Sequence, residues 1–171
     1  MGREVRRVPA DWQHPIDGCS RSSKGYRPLF PSRDVTALQA EWDHGAARWA
    51  NGLRSDFKGG WVKRDDDGES SFDKWDGARP DPADYMPDWP IAERTHWQMY
   101  ETTTEGTPIS PVMESPEVLA RWLADNGASA FGAMTATYEA WLATCRLGFS
   151  LGAVSVNGGP LVSGDEHNAP R

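Results

Sequence analysis

WQMYETTTEGTPISPVMESPEVLARWLADNGASAFGAMTATYEAWL, residues 97–142, decides how this chain folds. Together with His96, its first residues alternate. Trp97, Met99 and Glu101 share one face, while His96, Gln98, Tyr100 and Thr102 share the other, which is the period of a β-strand. We expect residues 96–102 to be the central strand. Gly106 and two prolines then turn the chain between Thr102 and Pro111. Ser115–Pro116–Glu117 opens a helix by rule: a hydroxyl to cap it, a proline at the first position and an acid at the positive end of the dipole. Val118, Leu119, Trp122 and Leu123 form its apolar face, and Asn126–Gly127 closes it. A further helix is expected from near Thr135 or Thr137 to Leu147. Tyr138, Trp141, Leu142 and Cys145 lie along one side, and Gly148 stops it.

Outward from this stretch the signals weaken. Downstream, AVSV (153–156) and LVS (161–163) flank NGGP, a hairpin pattern in which Pro160 implies an edge position. The tail DEHNAPR (165–171) is expected to fray. Upstream, REVRRV (3–8) reads as a short edge strand decorated by arginines and ended by Pro9. Residues 9–31 show no period; Trp12, Tyr26, Leu29 and Phe30 are their pins to a core. A helix is expected over about 33–54, capped by Ser32 or Asp34, with Val35, Leu38, Trp42, Trp49 and Leu53 in one stripe. Gly45 weakens its middle by about 1 kcal/mol relative to alanine. Residues 55–95 carry one glycine pair, DDDG and four prolines, so no long helix crosses them. Their aromatics, Phe57, Trp61, Phe72, Trp75, Tyr85 and Trp89, argue against disorder. The expected architecture is α+β: one domain over 1–171, with a small antiparallel sheet of three to four short strands packed against three helices. An irregular acidic and aromatic excursion over 55–95 and a flexible tail over 164–171 complete it.

Charge is distributed unevenly. The formal net charge is −7. Residues 1–64 carry seven acids and twelve bases, and residues 65–171 carry eighteen acids and six bases. The excess is densest from Asp65 to Glu93, with ten acids against Lys74 and Arg79. A chain with this balance is a poor general binder of nucleic acid. Nine tryptophans, each with a large area to bury and an indole N–H to satisfy, imply that aromatics pin loops to a small core. One or two of them exposed would serve as anchors in a binding face. Two distant cysteines, Cys19 and Cys145, make no disulfide framework and point to a reducing compartment. MGREVRRVP has no apolar core of a signal peptide, and no run approaches membrane-spanning length, so a cytosolic location is expected.

Candidate chemistry is sparse. Gly148–Phe149–Ser150–Leu151–Gly152 matches G-x-S-x-G, but that pattern needs a strand before it and a helix after it, the reverse of this order. Its only downstream histidine is His167. Lys63–Lys74 can be laid on a calcium loop with Gly68 at the turn, yet lysines fall where the ion needs carboxylates. His14, His44, His96 and His167 have no zinc-helix spacing, so neither metal nor cofactor is expected. Thr102, Thr103, Thr104, Thr107 and Ser110 read as turn and capping chemistry. Arg3, Arg6 and Arg7 form at most a weak phosphate-binding patch. What remains is the excursion. Carboxylates interleaved with rings on a rigid scaffold resemble a nucleic-acid strand to a basic groove. The candidate partner-binding residues are Asp65, Asp66, Asp67, Glu69, Asp73 and Asp76 for charge, with Trp75 and Trp89 as anchors.

GREVRRVPADWQHP at the start, RPDPADYMPDWP in the middle and the 97–142 stretch resemble a group of bacteriophage- and prophage-encoded proteins. The resemblance spans most of the chain. The group has no assigned activity, so no catalytic residue is carried over. Longer members insert cysteine-rich, zinc-ribbon-like segments that this chain lacks, so no zinc is carried over. The resemblance implies a small accessory protein that acts by binding rather than catalysis. Its expected partner is a basic nucleic-acid-binding host protein, or a defence assembly such as a CRISPR effector complex. The other implied role is in virion assembly or phage gene expression.

Overall fold

The computed structural model describes residues 2–18, 24–56, 58–65, 71–103, 106–155 and 162–169. In chain order the elements are β1 (Arg3–Val8), α1 (Val35–Ala50), β2 (Leu53–Ser55), β3 (Trp61–Lys63), α2 (Phe72–Asp76), β4 (His96–Glu101), β5 (Thr107–Pro108), α3 (Pro116–Asp125), α4 (Tyr138–Leu147), β6 (Phe149–Ser150), β7 (Ala153–Val154), β8 (Val162–Ser163) and α5 (Gly164–Asn168), with a 3-10 turn at Pro82–Asp84. The class is α+β, with antiparallel sheets of two to four strands. The chain forms two compact units: Met1–Pro31 with Pro87–Arg171, and Ser32–Met86. The 55–95 stretch is shared between them and is more regular than its composition implies, since it contains β3, α2 and the 3-10 turn.

The first unit is built on a four-stranded sheet in the order β5-β4-β1-β6. As expected, β4 is internal. Its Met99 face meets Leu119, Leu123, Ala140 and Trp141 in the core, and its Gln98 and Tyr100 face is buried too. β1 corrects the edge-strand expectation. It pairs with β4 along its whole length, from Arg3 opposite Glu101 to Val8 opposite His96, and with β6 at Arg3 and Glu4. Two of its arginines, Arg3 and Arg6, therefore lie within the structure, while Arg7 is exposed. Arg3 is 1% exposed and Arg6 8%. Arg3 Nε donates to the Ser129 carbonyl at 2.8 Å and its Nη1 pairs with Glu101 at 3.3 Å. Arg6 Nη1 donates to the Leu29 carbonyl at 2.7 Å, Nη2 pairs with Glu4 at 3.0 Å, and the guanidinium lies 4.4 Å from the Tyr100 ring centre. A planar cation with five donors can be buried where carbonyls and a ring face meet it.

Local rules place α3 and α4. Ser115 Oγ accepts from the Val118 N–H at 3.2 Å and Thr137 Oγ1 from the Ala140 N–H at 3.3 Å, each filling a free donor of the first turn. Gly148 ends α4 in the left-handed region at φ 95°. Leu119, Ala120 and Leu123 of α3 are buried, whereas Val118, expected on that face, is exposed. The two short strands β7 and β8 pair as expected, while the turn between them lies outside the described residues. In the described part of the expected tail, residues 164–168 form α5, capped by Ser163, which accepts from the Glu166 N–H at 3.2 Å, and residues 170–171 lie outside the described residues. Position near the end of the sequence favours fraying, but Asp165 is fully buried.

In the second unit, α1 is capped by Asp34, whose Oδ1 accepts from the Ala37 N–H at 3.1 Å. Gly45 is buried on it, and a methyl group there would lie 2.5 Å from the Phe72 ring. The glycine that weakens the helix is thus the seat for an aromatic ring of α2. β2 and β3 pair as an antiparallel hairpin after the helix.

Candidate functional site

The second unit gathers aromatic side chains from three elements. α1 supplies Trp42 and Trp49, seven residues and so nearly two turns apart on one face. α2 supplies Phe72 and Trp75, three residues apart and therefore neighbours on its surface. β3 supplies Trp61. Phe72 packs edge-on to Trp42 with ring centres 5.1 Å apart and against Trp49 at 5.9 Å. Trp75 lies 5.3 Å from Trp49 at a tilt of 35°. The chain after α2 is tied back to α1: Trp42 Nε1 donates to the Gly77 carbonyl at 3.0 Å, and Gln39 Nε2 to that of Pro80 at 2.8 Å. Arg79 grips Asp43 through two hydrogen bonds of 2.8 Å each, the bidentate fork that suits guanidinium and carboxylate.

A cavity of about 350 Å³ opens among these groups, lined by Trp42, Trp61, Phe72 and Trp75 with Glu41 and Asp76. A second recess of about 710 Å³ shares Glu41 and Trp61 and continues to His44 and Gly60. Neither Glu41 nor Asp76 takes part in an ion pair among the described residues. Trp75 stays 42% exposed.

The predicted site residues divide as follows. Asp73, Trp75 and Asp76 sit together on α2, all exposed. Asp65 follows β3; its side chain is 89% exposed and lies 3.7 Å from Arg54. Asp66, Asp67 and Glu69 lie outside the described residues. Trp89 belongs to the first unit, half-buried and edge-on to Trp12 at 4.7 Å. Hydrogen bonds from the Ser71 side chain and from the backbone hold the Asp73 carboxyl below its ordinary range. Asp43 is lowered by Arg79. Asp56 is lowered by the N–H groups of Lys58 and Gly60, each 2.8 Å from Oδ1. These acids are therefore charged at neutral pH. Sequence reasoning missed Glu41, Trp42, Trp61 and Phe72 as a set. The signal available was Gly45 inside a helix, which marks a close approach, beside a Phe72–Trp75 pair at helical spacing.

Candidate chemistry in the first unit is spoken for. Tyr100 Oη donates to Gln98 Oε1 at 2.7 Å and accepts from Trp12 Nε1 at 3.1 Å, fully buried. His14 donates from Nε2 to the Arg27 carbonyl at 2.6 Å. Ser110 Oγ accepts from the Met99 N–H and donates to the Pro111 carbonyl, both at 2.9 Å, which is turn chemistry. Thr104 lies outside the described residues. The phosphate-patch expectation fails: Arg3 and Arg6 are buried, and Arg7 donates to the Arg94 carbonyl while stacking 4.0 Å from the Trp97 ring centre. Ser150 follows a helix, as its motif order implied, and is buried. Asp165, next to the Ser150 and Thr144 hydroxyls, has no hydrogen bond of ordinary geometry to either oxygen, and burial raises its pKa. Among the described residues, no three metal-ligating side chains cluster, and no helix is long and apolar enough to cross a membrane. The chain matches no protein-family model, no curated protein and no solved structure.

Proposed function

We propose that this chain is a phage-type accessory protein that acts by binding. Its partner is a basic, nucleic-acid-handling host protein, with a CRISPR effector complex as the leading case, and it works in the host cytoplasm as an inhibitor. The observation that carries this reading is the pairing, on one unit, of exposed carboxylates with rings. Asp65, Asp73 and Asp76 face solvent, and Trp75 is half-exposed beside the last two. Lys and Arg that normally hold phosphates would meet the acids, and surfaces that stack bases would meet the ring. Arg3 and Arg6 have partners within their own unit: Glu101, Glu4 and the Ser129 and Leu29 carbonyls.

The test is association of the purified protein with a purified effector complex across a salt series. Affinity is expected to fall tenfold or more between about 0.05 and 0.5 M salt. Asp65→Asn, Asp73→Asn and Asp76→Asn together should weaken it further. Binding that ignores salt rejects the reading.

A second reading, assembly through an apolar face, has its own support. β6 is an edge strand of the four-stranded sheet, and Leu147, Phe149 and Leu151 around it are all more than half exposed. Edge strands that expose apolar side chains favour strand pairing between copies. Concentration-dependent sedimentation favours this reading; a monomer at all concentrations removes it.

A further inference from the structure

We infer that the ring-lined cavity of the Ser32–Met86 unit receives an arginine side chain of a protein partner, between Trp42, Phe72, Trp61 and Trp75, with Glu41 and Asp76 taking the charge. This deepens the binding reading above and rests on it.

Three observations lead there. The first is the lining. Four aromatic rings and two carboxylates without ion-pair partners among the described residues enclose about 350 Å³. Ring faces attract cations, and carboxylates at the same opening select a positive occupant over a neutral apolar one. The second is how this chain treats its rings. Arg6 covers Tyr100, Arg7 covers Trp97, Arg64 covers Trp49 and Arg121 covers Tyr138, and two of the cavity's own rings are met in the same way, Trp61 by Arg48 at 5.0 Å and Trp75 by Arg54 at 6.0 Å. Among the described residues no guanidinium covers Trp42 or Phe72, which line the cavity together with Gly45. The third is the rigidity of the walls. Trp42 is fixed through its indole N–H to Gly77, and Phe72 is wedged on Gly45 between Trp42 and Trp49. A preformed cavity spends little of its binding energy on ordering. Arginine fits better than lysine because its flat guanidinium can stack on a ring while its edge donates to a carboxylate.

The test needs no knowledge of the partner. Purified full-length protein is titrated with an arginine-containing dipeptide, with the citrulline dipeptide of the same shape and no charge, and with tetramethylammonium. The readout is the indole N–H signals in two-dimensional NMR, assigned through Trp→Phe variants. We expect saturable shifts at Trp42, Trp61 and Trp75 with the arginine dipeptide, and affinity for citrulline weaker by about threefold to thirtyfold. Glu41→Gln with Asp76→Asn, both on solvent-facing positions, should weaken arginine binding similarly without unfolding the unit. Equal response to arginine and citrulline, or no response, overturns the inference. Tighter binding of tetramethylammonium than of arginine also overturns it, in favour of a small quaternary ammonium ligand. If the dipeptide fails while salt-sensitive capture of the effector persists, the cavity assignment falls and the acidic-face reading stands. If the dipeptide binds and no basic protein is captured, the broader reading falls instead.

Discussion

His14 and Asp165 give the protein opposite responses to pH. Burial lowers the His14 pKa below its ordinary 6.5; the Arg27 carbonyl works against this and the Arg6 charge works with it. The unfolded chain therefore binds a proton that the folded chain resists. The stability His14 contributes is fully present above pH 6.5 and is lost as pH falls from there through the lowered folded value. His14→Gln keeps a donor for the Arg27 carbonyl and should flatten the loss, as read by urea denaturation at stepped pH. Asp165 behaves inversely. Burial raises its pKa from 3.8, with Ser150, Thr144 and Arg3 only partly offsetting it. Stability is lost as pH rises from near 3.8 through the raised folded value, and stays lost above it. Asp165→Asn should stabilise the protein by about 1–3 kcal/mol at neutral pH, and much less at pH 4, because it removes a buried charge lacking hydrogen bonds. A destabilised variant at pH 7 would show that the carboxylate is better held than its geometry indicates. Neither residue was legible from sequence. His14 sits in an aperiodic segment, and Asp165 stands in a run whose composition is that of a solvated tail.

At the scale of elements, the capped helices and the bounds of the arginine strand were legible, and the strand's internal place in the sheet was not. Ser115, Thr137 and Gly148 act within a few residues of where they stand, so their roles can be read locally. Ser115→Ala or Thr137→Ala should each cost about 1 kcal/mol in thermal denaturation. The burial of β1 depends on acceptors supplied by Leu29, Glu101 and Ser129, distant in sequence, which no local pattern announces. Gly45 shows the same limit. Helix propensity says that Gly45→Ala gains about 1 kcal/mol. The structure says that the added methyl meets the Phe72 ring at 2.5 Å, and that ring has little room between Trp42 and Trp49. We expect a net loss of about 1–2 kcal/mol, since overpacking costs about 1–3. Phe72→Leu in the same background should recover part of it. A stabilised Gly45→Ala protein would mean that the ring seat is loose.

Across the whole molecule, charge was the most legible property and its use the least. The acidic excess after residue 64 is a count from the sequence. That Asp73 and Asp76 share α2 with Trp75, while Trp89 belongs to the other unit, is a matter of folding. The cavity was invisible because its walls come from residues 41–42, 61 and 72–76, with no local pattern joining them. Surface acids of this kind add little to stability. Asp65→Asn, Asp73→Asn and Asp76→Asn together should therefore leave the melting temperature within a few degrees of the wild type. A large drop would assign these acids to the fold rather than to a partner.

The position of β1 has a consequence for synthesis. The strand leaves the ribosome well before its neighbours, His96–Glu101 on one side and Phe149–Ser150 on the other. At ordinary translation rates it waits about 5–30 s for them. The contiguous Ser32–Met86 stretch can close during that interval. Until then Arg3 and Arg6, buried in the finished fold, leave charge on the waiting segment, and charge on an unpaired strand discourages it from pairing with other chains.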